Sequence, residues 1–294
     1  NILLKDKSTK KNIIWATDNY ESYGKDYRDT SEMDVRLISA LGSDIIKPRI
    51  AKSLEEQQNR TRKKAEVFTP SWVCNKMNNY CDEQWFGRRD VFNVESENTW
   101  TSTEGRVEFK NPDDWKKYID SRRLEITCGE APFIVSRYDS STGDLIEIKD
   151  RIGILDRKLR IVNENAADKS EWIKWAIRAI ESCYGYEYQG DNLLIARINI
   201  LMTFYEYYKD IWDEEPDKDL LQKVANKIAW NIWQMDGLKG TVPLGKPYEE
   251  FHQMSLFEDP DDETSKDDRE QIPCRVYDWR REGSILYNSI GEEK

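Results

Sequence analysis

Four short stretches place acidic, glycine and aromatic residues where a small ligand could be held. The first is L-E-I-T-C-G-E-A-P-F at 124–133. Gly129 lets the backbone turn tightly and approach a ligand closely, and Glu125 offers a carboxylate to an amine or a hydroxyl. The second is Y-G-Y-E-Y-Q-G-D-N at 184–192. Its Glu187 could hold both hydroxyls of a ribose from the end of a strand, as acidic residues do in nucleotide-binding sheets. The third, W-N-I-W-Q-M-D-G-L at 230–238, carries the turn pair Asp236-Gly237, whose carboxylate could accept the exocyclic amine of an adenine ring. The fourth, K-A-E-V-F-T-P-S-W at 64–72, puts Phe68 before Thr69-Pro70, where an aromatic side chain can set a loop against a flat ligand. Each stretch alone also fits an ordinary turn. Their order along the chain is what gives them weight.

Other chemistries are short of residues. His252 is the single histidine, so no mechanism can use two imidazoles. The five cysteines, Cys74, Cys81, Cys128, Cys183 and Cys274, form no C-x-x-C pair. That argues against a disulfide framework or a structural zinc site and fits a reducing cytoplasm. A dehydrogenase or a phosphate-loop enzyme needs G-x-G-x-x-G or G-x-x-x-x-G-K-S, and neither is present. No P-D-x-n-(D/E)-x-K nuclease arrangement stands on a strand-like background. No apolar run reaches the roughly 20 residues of a membrane helix, and no signal peptide is visible. The formal net charge of -11 disfavours a dedicated DNA-binding module. One basic stretch, Lys47 to Lys64, reads as a solvated helix face.

The positioning elements follow from periodicity. With 38% hydrophobic residues, eleven Trp and fifteen Tyr, 294 residues suffice for one large domain or two modest ones. A polar helix is predicted over 53–64 and a second helix from Pro70 or Ser71. Loop and short strand follow over 87–110, and Trp115 and Tyr118 stand at helical spacing. A strand is predicted at 124–126, a hairpin over 133–148, helix over 154–183 and a strand at 184–188. Asp191 or Asn192 is placed to cap the next helix, on which Leu194, Ile198, Leu201, Tyr205 and Tyr208 repeat at fours and threes. A helix over 217–230, an exposed acidic loop over 258–270 and a last strand over 272–277 complete the chain. This alternation predicts an α/β fold with a largely parallel sheet, whose ligands bind at the carboxyl ends of the strands. Residues 1–60 read as an N-terminal arm or small helical, polar lobe, and 61–294 as the ligand-binding domain.

The same stretches resemble a known family. A-E-V-F-T-P-S-W-V at 65–73 is similar to the N-terminal cofactor motif of gamma-type adenine-N6 DNA methyltransferases of restriction–modification systems. E-I-T-C-G-E-A-P-F at 125–133 is similar to their main motif, commonly D-P-A-C-G-T-G-x-F. Glu125, Cys128, Gly129 and Phe133 fall on matching positions, with Glu125 for the family's Asp and Ala131 for its second glycine. Y-G-Y-E-Y-Q-G-D-N-L-L-I-A-R at 184–197 resembles the ribose-binding motif. Phrases such as N-I-I-W-A-T-D-N-Y-E, R-I-G-I-L-D-R-K-L-R and W-N-I-W-Q-M-D-G-L extend the resemblance to methyltransferase subunits over nearly the whole chain.

The resemblance implies an incomplete Rossmann-like sheet of the class I S-adenosylmethionine-dependent methyltransferases. It implies S-adenosylmethionine as cofactor, held by Phe68, Thr69, Pro70, Glu125, Thr127, Cys128, Gly129, Phe133, Glu187, Tyr188, Asp236 and Gly237. It further implies double-stranded DNA as the substrate of the full-length parent, a restriction or specificity subunit as partner, no membrane, and a bacterial cytoplasm. The family's catalytic N-P-P-aromatic motif, which holds the flipped adenine, occurs nowhere in the sequence. After Y-D-W-R-R at 277–281 the catalytic strand is expected just past Lys294, so no catalytic residue is assigned. The expectation is a cofactor-binding portion without transferase activity of its own. The alternative is a naturally shortened, non-catalytic subunit or scaffold of a restriction complex.

Overall fold

Parallel strands cannot be joined by a tight turn, so each must be separated from the next by a crossover, usually helical. The chain meets this requirement twice. A computed structural model describes residues 1–40, 46–64, 69–244 and 271–290. At its centre, β3 (Arg123–Glu125) is followed by α5 (Ile154–Asn165) and α6 (Lys169–Glu181) before β4 (Cys183–Glu187). Next come α7 (Gly190–Trp212) and α8 (Lys218–Asn231) before β5 (Ile232–Gln234). The three strands form a parallel sheet in the order β3-β4-β5, with Glu125 opposite Gly185 and Glu187 opposite Gln234. Upstream lie α1 (Val35–Ala40), α2 (Leu54–Lys64), α3 (Ser71–Phe86), the hairpin β1 (Asn93–Ser96) and β2 (Thr99–Ser102), and α4 (Asp114–Asp120). Downstream, β6 (Arg275–Asp278) and β7 (Gly283–Leu286) form a second antiparallel hairpin.

Local sequence explains most of these boundaries. The predicted helix over 154–183 divides at Ala166-Ala167-Asp168, where the Asp168 carboxylate accepts the Glu171 N–H and caps α6. Asp217 caps α8 in the same way through Leu220 N–H. Gly87 closes α3 in the left-handed conformation, φ 69°. The 133–148 hairpin is reduced to a single antiparallel bridge between Tyr138 and Leu145.

Two expectations are corrected. The amphipathic stripe predicted on α7 holds only in part: Leu194 and Tyr208 are buried and Leu201 and Tyr205 half-buried, but Ile198 is 41% exposed, and Leu193, Ala196, Ile200, Phe204 and Tyr207 are buried as well. Packing on several sides of this helix, rather than its strongest apolar period, sets the buried face. The last strand does not join the parallel sheet. It pairs with β7, and Cys274 and Val276 pack on Tyr186, Trp233 and Met235 to cover part of one sheet face.

The opposite face carries the main core. Trp172, Leu155, Leu159, Leu193 and Phe204 are fully buried there, and Ile13, Trp15 and Met33 of the N-terminal arm belong to the same cluster. The arm is threaded close to the sheet's carboxyl end. Gln234 donates its amide to Ile14 O and Tyr188 O and accepts Ile14 N–H, while Gly190 N–H reaches Trp15 O. A Cβ on Gly190 would lie 2.1 Å from Ile14 O and 2.8 Å from Met33 Sδ. Gly190→Ala should therefore lower stability by about 1–3 kcal/mol through overpacking. Urea titration would read that loss, and faster proteolytic cleavage within residues 13–33 would show the arm released.

Candidate functional site

The carboxyl ends of the three strands lie side by side, and the turn after each carries the residues singled out in the sequence. The β3 strand ends at Glu125, which is buried and accepts the N–H groups of Phe133 and Ile134. Burial pushes its carboxyl up to about 8 against these two hydrogen bonds, and the nearby Glu187 charge adds to the rise. Glu125 is thus a staple that folds the loop after β3 back on itself. That loop bends through left-handed residues at Thr127, Gly129 and Ala131. Only Gly129 adopts this conformation at no steric cost; Thr127 and Ala131 carry local strain.

The loop is tied to β4 at two points. Cys128 N–H donates to Tyr186 O, and Gly129 N–H donates to Glu187 Oε2 at 2.9 Å. Glu187 Oε1 accepts Gln189 N–H at 3.1 Å. Backbone donors from two turns therefore aim the Glu187 carboxylate, which offers about four acceptor positions in all. The Cys128 side chain is buried against Gly185, where an added Cβ would meet its Sγ at 3.3 Å. Burial, then the Glu125 and Glu187 charges, raise that thiol well above its ordinary range, so it packs as a neutral group.

The remaining predicted residues divide. Thr69 and Pro70 lead into α3 and lean on the loop past Phe133, with Ser71 N–H on Asp139 and Ser140 Oγ on Thr69 O. Burial, and after it the Glu125 charge, raise the Cys74 thiol on α3, so this segment flanks the β3 turn. Phe68 lies outside the described residues. Phe133 is half-buried, and its carbonyl is taken by Ile154 N–H and Asn78. Tyr188 is half-buried; burial and then the charges of Asp236 and Asp29 raise its phenol, which brings Tyr188 and Asp236 into one neighbourhood. Asp236 itself accepts Leu238 N–H and caps its own turn, while Gly237 packs so closely on the Tyr186 ring that a Cβ would lie 2.7 Å from it.

The sequence reading missed what stands beside these turns. Asp191 does not cap α7, whose N-cap is Gln189. It is fully buried in the first turn and receives Tyr20 Oη at 2.7 Å, Arg60 Nη1 at 2.9 Å and Lys52 Nζ at 3.4 Å. Against the cost of burial, Lys52 and then Arg60 hold the carboxyl far below the usual range. The basic stretch is accordingly not a purely solvated face: Arg60 is 3% exposed and also donates to Gln189 and Asn192. Arg49 N–H and Tyr138 Oη meet on buried Glu130. Residues 49–60 thus run from the β3 turn to the β4 turn. The Asp-Asn pair after Glu187 was visible as a signal, but cap and ion-pair roles look alike in one dimension.

Among the described residues, no group of three or more His, Cys, Asp or Glu could hold a metal ion, and no helix is long and apolar enough to cross a membrane. No protein-family model matches the chain, and neither a curated protein nor a solved structure matches it significantly.

Two stability tests follow. Asp191→Ala would strand Arg60 and Lys52 in the interior and should cost about 3–5 kcal/mol, read by urea denaturation at neutral pH. Because folding depresses the Asp191 pKa, the same contribution should be intact above about pH 4 and fade as pH falls below it. Glu125 has the opposite sign: its raised pKa makes its contribution complete below about pH 4.5, to be lost as pH rises towards 8. Glu125→Gln should remove that dependence. A wild-type minus variant stability difference that stays flat between pH 5 and 8 would contradict the assignment.

Proposed function

We propose that this chain is the S-adenosylmethionine-binding portion of an adenine-N6 DNA methyltransferase of a restriction–modification system. The observation that carries the reading is the aimed Glu187 carboxylate at the end of β4, touching the Gly129 turn after β3 in a sheet ordered β3-β4-β5. A ribose held by Glu187 would lie next to the one glycine in that turn, where backbone can approach a ligand. Tyr188 in the β4 turn and Asp236 in the turn after β5 share one neighbourhood, where they could border an adenine ring.

The fit is closest for the nucleoside half of the cofactor. Glu187 would take the ribose hydroxyls, and Tyr188 with Asp236 would border the base. Glu125 would act by shaping the loop, holding the N–H groups of Phe133 and Ile134 from within it. When bound, S-adenosylmethionine supplies an electrophilic methyl group. The chain's own residues bind and orient it, and the adenine-holding N-P-P motif is absent from the sequence.

The open side of the sheet supports the same reading. Among the described residues β3 pairs only with β4, and beyond the β6–β7 hairpin Leu124 and Ile126 are 47% and 63% exposed. A strand added there would cover both its edge and apolar side chains. The alternative of a non-catalytic methyltransferase-like scaffold shares these turns and differs only in what completes them.

Calorimetric titration with S-adenosylmethionine tests the proposal. Wild type should bind, and Glu187→Ala should weaken binding at least tenfold while circular dichroism stays unchanged. Absence of binding to the wild type, or equal binding by the variant, would sink the reading.

A further inference from the structure

Away from the strand turns, charge is sorted unevenly. The chain has 45 basic and 56 acidic residues, yet basic side chains outnumber acidic ones in each of three neighbouring grooves. The first, about 490 Å³, runs beside Trp85, Phe86 and Phe109 with Arg88, Lys110 and Lys117 at its sides. Lys117 also borders the second, about 740 Å³, which follows the outer surfaces of α4, α6 and α8 past Trp175, Lys174, Lys223 and Lys227. The third, about 530 Å³, lies between residues 5–10 and β6, where Lys5, Lys7, Lys10 and Arg275 surround Trp230.

An aromatic ladder joins the last two grooves. Lys227 Nζ sits 3.6 Å from the ring centre of Trp279, Trp279 lies 4.1 Å from Tyr277, and Tyr277 5.2 Å from Trp230. Lys7 Nζ closes the series 5.6 Å from the Trp230 ring. The acidic groups lining the second and third grooves are already engaged. Asp120 is held by Arg178 and Arg280, Glu181 by Arg178 and Lys227, and Asp6 accepts the N–H groups of Ser8 and Thr9. At the junction of the first two grooves, Lys117 pairs with Asp114. Lys174 and Lys223 are exposed cations above the second groove.

We propose that this basic and aromatic track binds single-stranded nucleic acid. Lysines along connected grooves can follow a phosphodiester backbone, and half-buried indole rings between them offer faces on which unpaired bases stack. An acidic protein or an anionic bilayer would meet the cations but leave the rings without a stacking partner, and a bilayer would not enter concave grooves. The track is also remote from the proposed cofactor turns. Asp120, Glu181 and Trp230 stand just before β3, β4 and β5, at the amino ends of the strands, whereas Glu125 and Glu187 stand at the carboxyl ends. The inference therefore survives or fails independently of S-adenosylmethionine binding.

Fluorescence anisotropy of the full chain with a labelled 20-nucleotide oligothymidylate would test it, with a duplex of equal length, polyglutamate and phosphatidylserine vesicles as competitors. The single strand should bind in a salt-dependent way and be displaced least by polyglutamate and vesicles. The triple variant Lys5→Ala, Lys174→Ala, Lys223→Ala, altering only exposed side chains, should weaken binding at least tenfold. It should also flatten the slope of log affinity against log salt by about 0.7 per cation removed. Trp230→Leu should weaken oligothymidylate binding while leaving the salt slope unchanged. No binding at 50 mM salt, or binding untouched by the triple variant, would overturn the proposal. Displacement by vesicles or polyglutamate at least as effective as that by unlabelled oligothymidylate would overturn it as well, assigning the face to a membrane or to an acidic protein.

Discussion

A carboxylate taken out of water must be met by charge or hydrogen bonds, or it will not stay ionised. Asp191 meets that condition with groups drawn from three separate parts of the chain: Tyr20 of the arm, Lys52 ahead of α2 and Arg60 within it. None of these contacts is local. Each exists only if the arm and the basic segment are laid over the turn after β4. The first turn of α7 adds its own preference for negative charge. The cluster thereby couples the positions of residues 1–60 to the sheet turns, which stand beside Glu187 and Gly129.

That coupling decides what kind of site the strand turns can form. The Glu187 carboxylate is aimed by backbone N–H groups from the β3 and β4 turns, so its position depends on both loops at once. Glu125 holds the β3 loop from inside, and residues 49–60 hold it from outside through Glu130. A site built this way is oriented mainly by main chain, and within it Ala131 takes up a left-handed conformation. The sheet is less finished than its turns. Among the described residues, one face carries the main core, and the other is covered only in part by the β6–β7 hairpin.

Much of the architecture was legible because it rests on short-range rules. The strand runs ending in Glu125 and Glu187, the helix over 217–230 and the break at Thr69-Pro70 each follow from a few adjacent residues, whereas the Asp168 cap that divides 154–183 was passed over. The failures share a cause. The α7 stripe was read from apolar spacing, yet a helix packed on several sides buries small and charged residues such as Ala196 and Arg197 as well. Arg197 is buried because four carbonyls, those of Leu3, Lys5, Ala229 and Ile232, converge on its guanidinium. No periodicity announces such a convergence. The strand over 272–277 was legible as a strand, but its partner was not, since pairing depends on which edge the chain reaches.

The sequence by itself determined the alternation of strands and helices, the acidic and glycine residues at the strand ends, and the lack of an N-P-P motif. These are properties of residue type and near-neighbour order. Only the tertiary structure decided that Glu187 and Gly129 touch, that Glu125 turns inward as a staple, and that Arg60 and Lys52 are buried partners of Asp191 rather than solvated cations. It alone also gathered lysines from residues 5 to 227 along grooves that they share with indole rings. The physical reason is the same in each case. Whether a polar group meets water or another polar group depends on what the folded chain brings to it, and that partner can lie more than a hundred residues away.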